Sequence, residues 1–465
     1  MQSGVKNIFW VVALILLMPF VASAQTSSIN AYSPYSMYGP GELLTPGTVQ
    51  MRAMGGVGVA VRSIGQVNVM NPAAASVIPR KSFLFDVGFD GTHFDNRQVK
   101  YNKSGVLDRR VRTAYNTANI HNITLAFPLA KGLGASLNVA PYSSVGYKVK
   151  TTDENPDNWA DIGRVLYGYS GDGDISEVKL SIGWEPFRNF SIGVAAKYFW
   201  GYIERSYTTT VADNITGTGV YSSTVGVDKY TVNNVKFQAG LQWNIIYNET
   251  RLFTIGATYD LGGKLNPKKQ SYVYTDNTIN KIQNNPVRDR IESVELRVPH
   301  QFGAGAFYRD RIVAFGLDYN YAEWGGSNNG YNENPNSANL AVTYTRTHDI
   351  KAGFELTPRS NDVRNYFNRI SYRIGARVGN YYQKFGGERV YKLAVTAGLG
   401  LPVKVWGASS VNIGFEYGRM SSPNTPYHNG QRIGLVTQNY YKISLGFSLF
   451  SADTSDYWFV RQKYD

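Results

Sequence analysis

The sequence predicts an all-β fold, a transmembrane antiparallel β-barrel of about fourteen strands with an N-terminal hatch inside it. The main observation is an alternation of apolar and polar residues from about residue 82 to residue 450, seen clearly at 233–247. A period of two places the two sets on opposite faces of a strand. The polar face carries Gly, Ser, Asn, Gln and Lys, which suits a wet lumen, while the apolar face suits lipid.

The N-terminus reads as a secretory signal peptide over residues 1–24. Lys6 provides a positive charge, residues 8–20 form an apolar run, and Ala22-Ser23-Ala24 fits a cleavage site before Gln25. That apolar run is too short to span a bilayer, so it indicates export rather than anchoring. The rest of the sequence contains no run of about 18 apolar residues, which excludes a helical membrane protein. We therefore expect an exported protein of the outer membrane.

The aromatic content agrees with a membrane barrel. The sequence contains 34 tyrosines and 8 tryptophans, and amphipathic rings concentrate at both membrane interfaces of such barrels. Trp200 and Trp324 are predicted to be interface anchors of this kind. The chain contains no cysteine, so no disulfide or thiolate chemistry is available.

The formal net charge is +13, of which Lys6 contributes one. No basic helix or base-stacking motif accompanies this charge, so nucleic acid is not an expected partner. We expect attraction to outer-membrane lipid and lipopolysaccharide, or to acidic substrates in the lumen. A basic solvated surface without a specific role explains the charge equally well.

Residues 25–81 differ from the rest and are predicted to form the hatch. Pro and Gly punctuate them, as in the Gly-rich run containing Gly55 and Gly56, which disfavours regular strands. The segment is too apolar for a disordered tail. Asn71 suits a helix N-cap and Pro72 a first helical position. Asn71-Pro72 either positions a movable hatch or simply forms a stable capped turn.

Residues 82–450 are predicted to form the barrel, with short periplasmic turns alternating with long external loops at 148–173, 204–232, 263–293 and 323–345. Residues 451–465 form a polar tail, expected to be periplasmic. The predicted strands centre on 83–91, 119–129, 133–147, 174–185, 189–203, 233–247, 251–262, 294–308, 311–322, 346–357, 367–382, 390–401, 409–419 and 439–450.

Three parts of the sequence resemble the long-chain fatty acid transporter family of the outer membrane, the FadL/TodX type. The matching residues are Gly-rich 54–58 followed by Asn71-Pro72-Ala73, then 298–303 followed by Asp318-Tyr319 and Trp324, then 350–356 followed by 372–376. The resemblance implies a fourteen-stranded barrel with a hatch that admits hydrophobic or amphipathic, fatty-acid-like molecules passively. In that family the ligand leaves sideways through a gap at a kinked third strand. We expect a monomer.

The third predicted strand contains a candidate for such a gap. Pro141 follows Ala140 inside the strand, and proline cannot donate to a strand ladder. One hypothesis is that Ala140 and Pro141 mark a lateral opening. The alternative is a harmless bulge near the barrel rim.

Three basic residues are predicted to point into the lumen and are candidates for substrate binding. The alternation places Arg373, Arg377 and Lys197 on the polar face of their strands. They could hold an anionic head group. Alternatively they pair across the lumen with carboxylates and brace the hatch, because buried charges need partners. The carboxylates considered are Asp86, Asp318 and Glu416.

The sequence offers no catalytic set, so we predict that the protein is not an enzyme and uses no cofactor or metal. Its five histidines are scattered, with no pair at metal-ligand spacing. There is no Gly-x-Ser-x-Gly motif and no phosphate-binding loop. Two other functions remain open, a general diffusion porin for polar solutes and a structural or secretion-associated barrel that docks a partner protein.

Overall fold

The computed structural model describes residues 32–80, 82–102, 104–152, 163–211, 223–248, 250–277, 282–283, 288–294, 296–326, 342–403, 409–428 and 430–451. The predicted signal peptide, the first residues of the predicted hatch and nearly all of the predicted tail lie outside these ranges.

The fold is a closed antiparallel barrel of fourteen strands, as predicted. The strands are β1 Phe83–Tyr101, β2 Leu107–Ala130, β3 Leu133–Thr152, β4 Val165–Phe187, β5 Phe190–Val211, β6 Ser223–Tyr247, β7 Leu252–Asp260, β8 Gln301–Arg309, β9 Val313–Ala322, β10 Thr347–Leu356, β11 Ser371–Phe385, β12 Glu388–Val403, β13 Ser409–Ser421 and β14 Thr437–Ser451. Strand β14 pairs with β1 from Phe83–Ser451 to Arg97–Thr437, which closes the barrel.

The alternation in sequence becomes an outer apolar face and an inner polar face. On β6, Phe237 is 57% exposed whereas Gln242 is fully buried. The exposed rows of large apolar side chains run around the barrel, as lipid-facing residues do. The described residues contain no helix of sufficient length and apolar character to span a membrane.

Several strands extend further than predicted on the side of the long connections. Strands β4, β5 and β6 reach into the predicted loops 148–173 and 204–232, and a hairpin of Lys268–Asn277 and Arg288–Ser293 adds to β6. The strand predicted at 294–308 starts its barrel ladder only at Gln301. Apolar alternation ends where a strand leaves lipid, but backbone pairing continues, so the sequence pattern underestimates strand length.

Short elements complete the described fold. The 3₁₀ helices are Pro34–Met37, Pro72–Val77, Trp324–Gly326 and Tyr366–Arg369, and α1 is Val49–Ala53. The short strands are Glu42–Leu43, Gly263–Lys264, Ile282–Gln283, Arg297–Val298, Val342–Tyr344, Tyr427–His428 and Gln431–Arg432. The Asn71 side chain caps the second 3₁₀ helix by accepting from the Ala73 amide at 3.0 Å, and Pro72 follows it, as predicted.

Residues 32–80 contact the inner face of the wall, and we call them the N-terminal segment. Glycines on the inner face allow its backbone to approach closely. A methyl group at Gly353 would lie 2.3 Å from the Met54 carbonyl oxygen, and one at Gly193 would lie 2.4 Å from the Ala73 nitrogen. Any larger residue at these positions would push the segment away from the wall.

Two buried hydrophobic clusters fill the barrel interior toward the long connections. The first joins side chains of β3–β6 to Leu265, Leu296 and Val298. The second contains Trp324 and tyrosines of β11. The Trp324 ring lies 4.5 Å from that of Tyr382 and is 1% exposed. Its prediction as an interface anchor is therefore wrong, because the chain folds this ring into the lumen rather than toward lipid.

Candidate functional site

The ladder between β2 and β3 is unusually short. These strands pair only from Ile123–Val139 to Ala130–Leu133. Strand β2 nevertheless continues along β1 to Leu107, and β3 continues along β4 to Thr152. The two strands therefore separate above Ile123 and Val139. We call the region between residues 119–122 of β2 and residues 140–142 of β3 the β2–β3 gap.

Ala140 and Pro141 lie where the strands separate. Pro141 also adjoins a register shift in the β3–β4 ladder, between Pro141 and Ser143. A bulge of this kind bends its strand and increases the local twist. The position therefore combines a bulge toward β4 with the end of pairing with β2.

Above the gap, the N-terminal segment occupies the edge of β3 that β2 has left. Leu43 is the ladder partner of Ser143, the Leu44 amide donates to the Tyr142 carbonyl at 3.0 Å, and the Ser33 amide donates to a β3 carbonyl at 2.8 Å. We call residues 33–44 the strap. The strap supplies hydrogen bonds that a neighbouring strand would otherwise supply.

The strap is also held by other parts of the wall. Next to it, the Tyr32 ring stacks on Tyr115 of β2 with centroids 4.3 Å apart, and the Tyr32 carbonyl accepts from Gln438 of β14 at 2.7 Å. The Tyr381 hydroxyl of β11 donates to the Tyr35 carbonyl at 3.1 Å. These contacts close the far end of the gap.

A cavity of about 310 Å³ lies between the N-terminal segment and the wall. Its lining includes Asn119 and His121 of β2 together with Ala140, Pro141 and Tyr142 of β3, so the cavity reaches the β2–β3 gap. The charged lining is mostly basic, with eight cations and five carboxylates. The cations are Arg52, Lys179, Lys197, Lys236, Lys351, Arg377, Lys392 and Lys442, and the carboxylates are Glu42, Asp90, Glu177, Asp260 and Asp349.

The three predicted lumen cations point inward, and each has a carboxylate partner. The Lys197 ammonium contacts Asp260, and the Arg377 guanidinium contacts Glu416. The Arg373 guanidinium donates to Glu355 at 2.6 Å. Arg377 thus has a partner named from the sequence, whereas Glu355 and Asp260 were missed because cross-strand register is not readable from one sequence. Arg373 does not line the cavity.

Five other lysines of the cavity were not predicted from the sequence, and one of them, Lys442, forms a salt bridge with Asp90. Among the described residues, no carboxylate forms a salt bridge with the ammonium group of Lys179, Lys236, Lys351 or Lys392. The Lys179 ammonium donates to the Val69 carbonyl at 2.6 Å. In the sequence, each of these lysines lies between two apolar residues that face outward. The alternation alone could therefore have predicted that these lysines face the lumen.

A charged network joins the N-terminal segment to β1. Asp90 of β1 lies 2.7 Å from Arg52 of the segment and 3.7 Å from Lys442 of β14. It also lies 3.5 Å from the His121 ring, and it accepts from Ser444 at 2.6 Å. Asp90 therefore fixes Arg52 to the wall beside the cavity.

The Gly-rich run of the N-terminal segment is held by the opposite wall. Asp318 of β9 accepts from the Gly58 and Val59 amides at 2.7 and 2.9 Å. The Gly55 amide donates to Thr396 at 2.9 Å. Gly55 and Gly56 have φ of 73° and 84°, a backbone region that favours glycine. The described residues contain no cluster of three or more His, Asp and Glu able to hold a metal ion.

These features define a class: a fourteen-stranded membrane β-barrel with a mid-lumen cavity and an interrupted wall. The chain belongs to the BamG family, whose model matches residues 5–465. Among curated proteins, none matches the sequence significantly.

Three solved structures with a similar fold are distant from this chain in sequence. A FadL homologue of Pseudomonas aeruginosa has a TM-score of 0.60 at 12% identity, covering 88% of this chain and 99% of that chain. The Pseudomonas putida toluene transporter TodX has a TM-score of 0.53 at 13% identity, covering 88% and 98%. The CymD monoaromatic hydrocarbon channel has a TM-score of 0.52 at 11% identity, covering 90% and 98%. The expected resemblance to FadL/TodX-type proteins therefore holds for the fold, and the family is BamG.

Proposed function

We propose that this protein is a passive transporter of the outer membrane that admits hydrophobic or amphipathic small molecules and releases them sideways. The observation that carries the proposal is the cavity that reaches the β2–β3 gap. A molecule in the cavity has a short lateral route to the bilayer there. Proteins with the same fold are described as toluene transporters and monoaromatic hydrocarbon channels, which supports the same class of function here.

The charges of the cavity favour an amphipathic molecule with an anionic head group. Eight cations face five carboxylates, so the lining has a cationic excess that an anion would balance. We assign the head group to Lys351 and Lys392, whose ammonium groups face the cavity without a salt-bridge partner in the described chain. An apolar tail would then lie in the β2–β3 gap, where it is removed from water.

We propose two roles for the parts of the N-terminal segment. Residues around Gly55, Gly56, Asn71 and Pro72 serve as a hatch, seated against the inner wall. The strap serves as the gate of the lateral exit, because it holds the β3 edge beside the cavity. A strap that leaves the edge exposes unpaired backbone groups, so closure is favoured unless a ligand fills the site.

The location in the outer membrane is supported by the closed barrel with its outward apolar band, because such barrels are found in that membrane. The signal peptide predicted over 1–24 agrees with it. Transport is passive in this proposal, driven by the concentration gradient. An open diffusion porin is less compatible with an interior occupied by the N-terminal segment and two hydrophobic clusters.

A reversible disulfide tests the gate. Since Leu44 and Tyr142 form a hydrogen-bonded pair, their neighbours Leu43 and Ser143 form the closer, non-hydrogen-bonded pair, which suits a disulfide. The chain contains no cysteine, so the variant L43C/S143C has one possible bond. We expect oxidised protein in liposomes to take up a fluorescent fatty acid at least tenfold more slowly than reduced protein.

The single variants L43C and S143C, treated with the same oxidant, control for chemical damage. Equal uptake by the oxidised and reduced double variant would exclude the strap as a gate.

A further inference from the structure

The outer wall contains a second concave site, on a different sector from the β2–β3 gap. It is a groove of about 790 Å³ across β4–β9. Its lining is almost entirely apolar and faces lipid, with Ala239, Ala257 and Ala304 among the small residues. Ala257 and Ala304 are direct ladder partners on β7 and β8. These two adjacent small side chains leave a depression in the outer surface between larger neighbouring side chains.

Large side chains form the borders of the groove. Trp184, Ile192 and Leu241 border it toward the short turns, and Tyr259 and Tyr319 border it toward the long connections. A ladder row runs from Trp184 through Ile192, Leu241, Ala257 and Ala304 to Tyr319. Because barrel strands are tilted, this row crosses the membrane obliquely and is suited to an extended chain.

Two tyrosine–histidine pairs lie at the end of the groove toward the long connections. The Tyr259 hydroxyl lies 2.7 Å from His300 Nδ1, and the Tyr319 hydroxyl lies 2.7 Å from His348 Nδ1. Both histidines are exposed. The Gly262 amide also donates to His300 Nδ1 at 3.3 Å. An Nδ1 that accepts this hydrogen bond leaves the proton on Nε2, so His300 directs an N–H donor outward at the rim.

We infer that this groove binds one membrane lipid, with an acyl chain over Ala257 and Ala304 and a phosphate head group at His300 and His348. The apolar floor matches the chain, and imidazole donors at a single end match an oxyanion. Aromatic rings with polar tips mark the membrane interface, which places the head group at the level of Tyr259 and Tyr319. The head group then lies on the side of the long connections, and the acyl chain follows the row toward Trp184.

The experiment uses nanodiscs that contain a phospholipid with bromine on its acyl chain, because bromine quenches tryptophan at contact. The quenching of Trp184 alone is obtained by subtracting the fluorescence of the variant W184F from that of the natural chain at each lipid composition. For the natural chain, we expect half-maximal Trp184 quenching at a brominated-lipid fraction at least threefold lower than random mixing predicts. A natural chain that quenches as random mixing predicts would overturn the inference.

Filling the groove should abolish this preference. We expect A257F/A304F to shift half-maximal quenching back to random mixing, while A376F/A397F, on the lipid face of β11 and β12, should not. Changing both histidines to alanine should remove the preference for a phosphate head over a neutral glycolipid. Equal lipid preference in A257F/A304F would overturn the assignment and indicate a nonspecific surface. A natural chain that is a dimer, and that A257F/A304F converts to a monomer, would instead indicate that a second copy of the chain fills the groove. Uptake through the β2–β3 gap is a separate measurement that these variants leave unchanged.

Discussion

Two seams of the barrel wall differ although both are built from long strands. Strands β5 and β6 pair without interruption from Phe190–Trp243 to Thr209–Thr224. Strands β2 and β3, of 24 and 20 residues, are of similar length but pair only below Ile123–Val139. At the first seam the wall is continuous, and at the second the strap covers the β3 edge. The two seams thus differ in backbone pairing, not in the apolar rows that face lipid.

The largest predicted effect comes from joining the separated strands. In register, Asn122 and Ala140 follow the last pair, Ile123–Val139, and both line the cavity. A short bifunctional crosslinker on N122C/A140C should lower uptake at least tenfold, because it spans the proposed exit.

The continuous seam provides the control for this experiment. T209C/T224C joins direct partners of β5 and β6 away from the cavity, so its crosslinking should leave uptake within twofold. Similar losses in both crosslinked variants would indicate that barrel rigidity, rather than the β2–β3 gap, limits transport.

The second effect concerns the head group. Removing two positive charges with K351Q/K392Q should weaken binding of an anionic amphiphile by about tenfold, the scale of one charge-assisted hydrogen bond. Equilibrium binding of a fluorescent fatty acid measures this, and a neutral alcohol of equal length should bind equally to both proteins. The exposed Lys148 gives the control variant K148Q. A uniform loss for acid and alcohol would contradict the assignment of these lysines.

The third predicted effect concerns the hydrogen bonds that hold the N-terminal segment to the wall. Asp318→Ala leaves the Gly58 and Val59 amides, now bonded to its carboxylate, without an acceptor. We expect the free energy of unfolding to fall by about 2 kcal/mol, the scale of buried unsatisfied donors. Urea titration in bilayers measures it. Asp318→Asn keeps one acceptor and should lose less, so equal losses would argue against these hydrogen bonds as the cause.

The smallest effect is expected at Pro141. The strap already holds the β3 edge beyond it, and the bulge lies between β3 and β4. Pro141→Ala should therefore change uptake less than twofold. A large loss in a variant of normal stability would assign the gap to the proline itself rather than to the strap.

Particular residues show how far one sequence predicts this molecule. The alternation around Phe237 and Gln242 gave the strands, their faces and their number, because lipid and lumen demand opposite side chains. Glu416, the partner of Arg377, was among the three carboxylates considered, but Glu355, the partner of Arg373, was not, because cross-strand register is not readable from one sequence. Pro141, singled out as a ladder breaker, lies beside the last β2–β3 pair and at a register shift toward β4, while its role in a lateral opening stays a prediction. The strap was not predicted from the sequence, because the pairing of Leu43 with Ser143 joins distant parts of the chain and leaves no periodic pattern.

The most direct test is an experimental density map of the protein in lipid nanodiscs with a long-chain carboxylate. We expect a carboxylate beside Lys351 and Lys392, with its tail passing between residues 119–122 and 140–142. A β2–β3 ladder that continues above Ile123–Val139, or a ligand bound elsewhere in the lumen with that wall sealed, would contradict it.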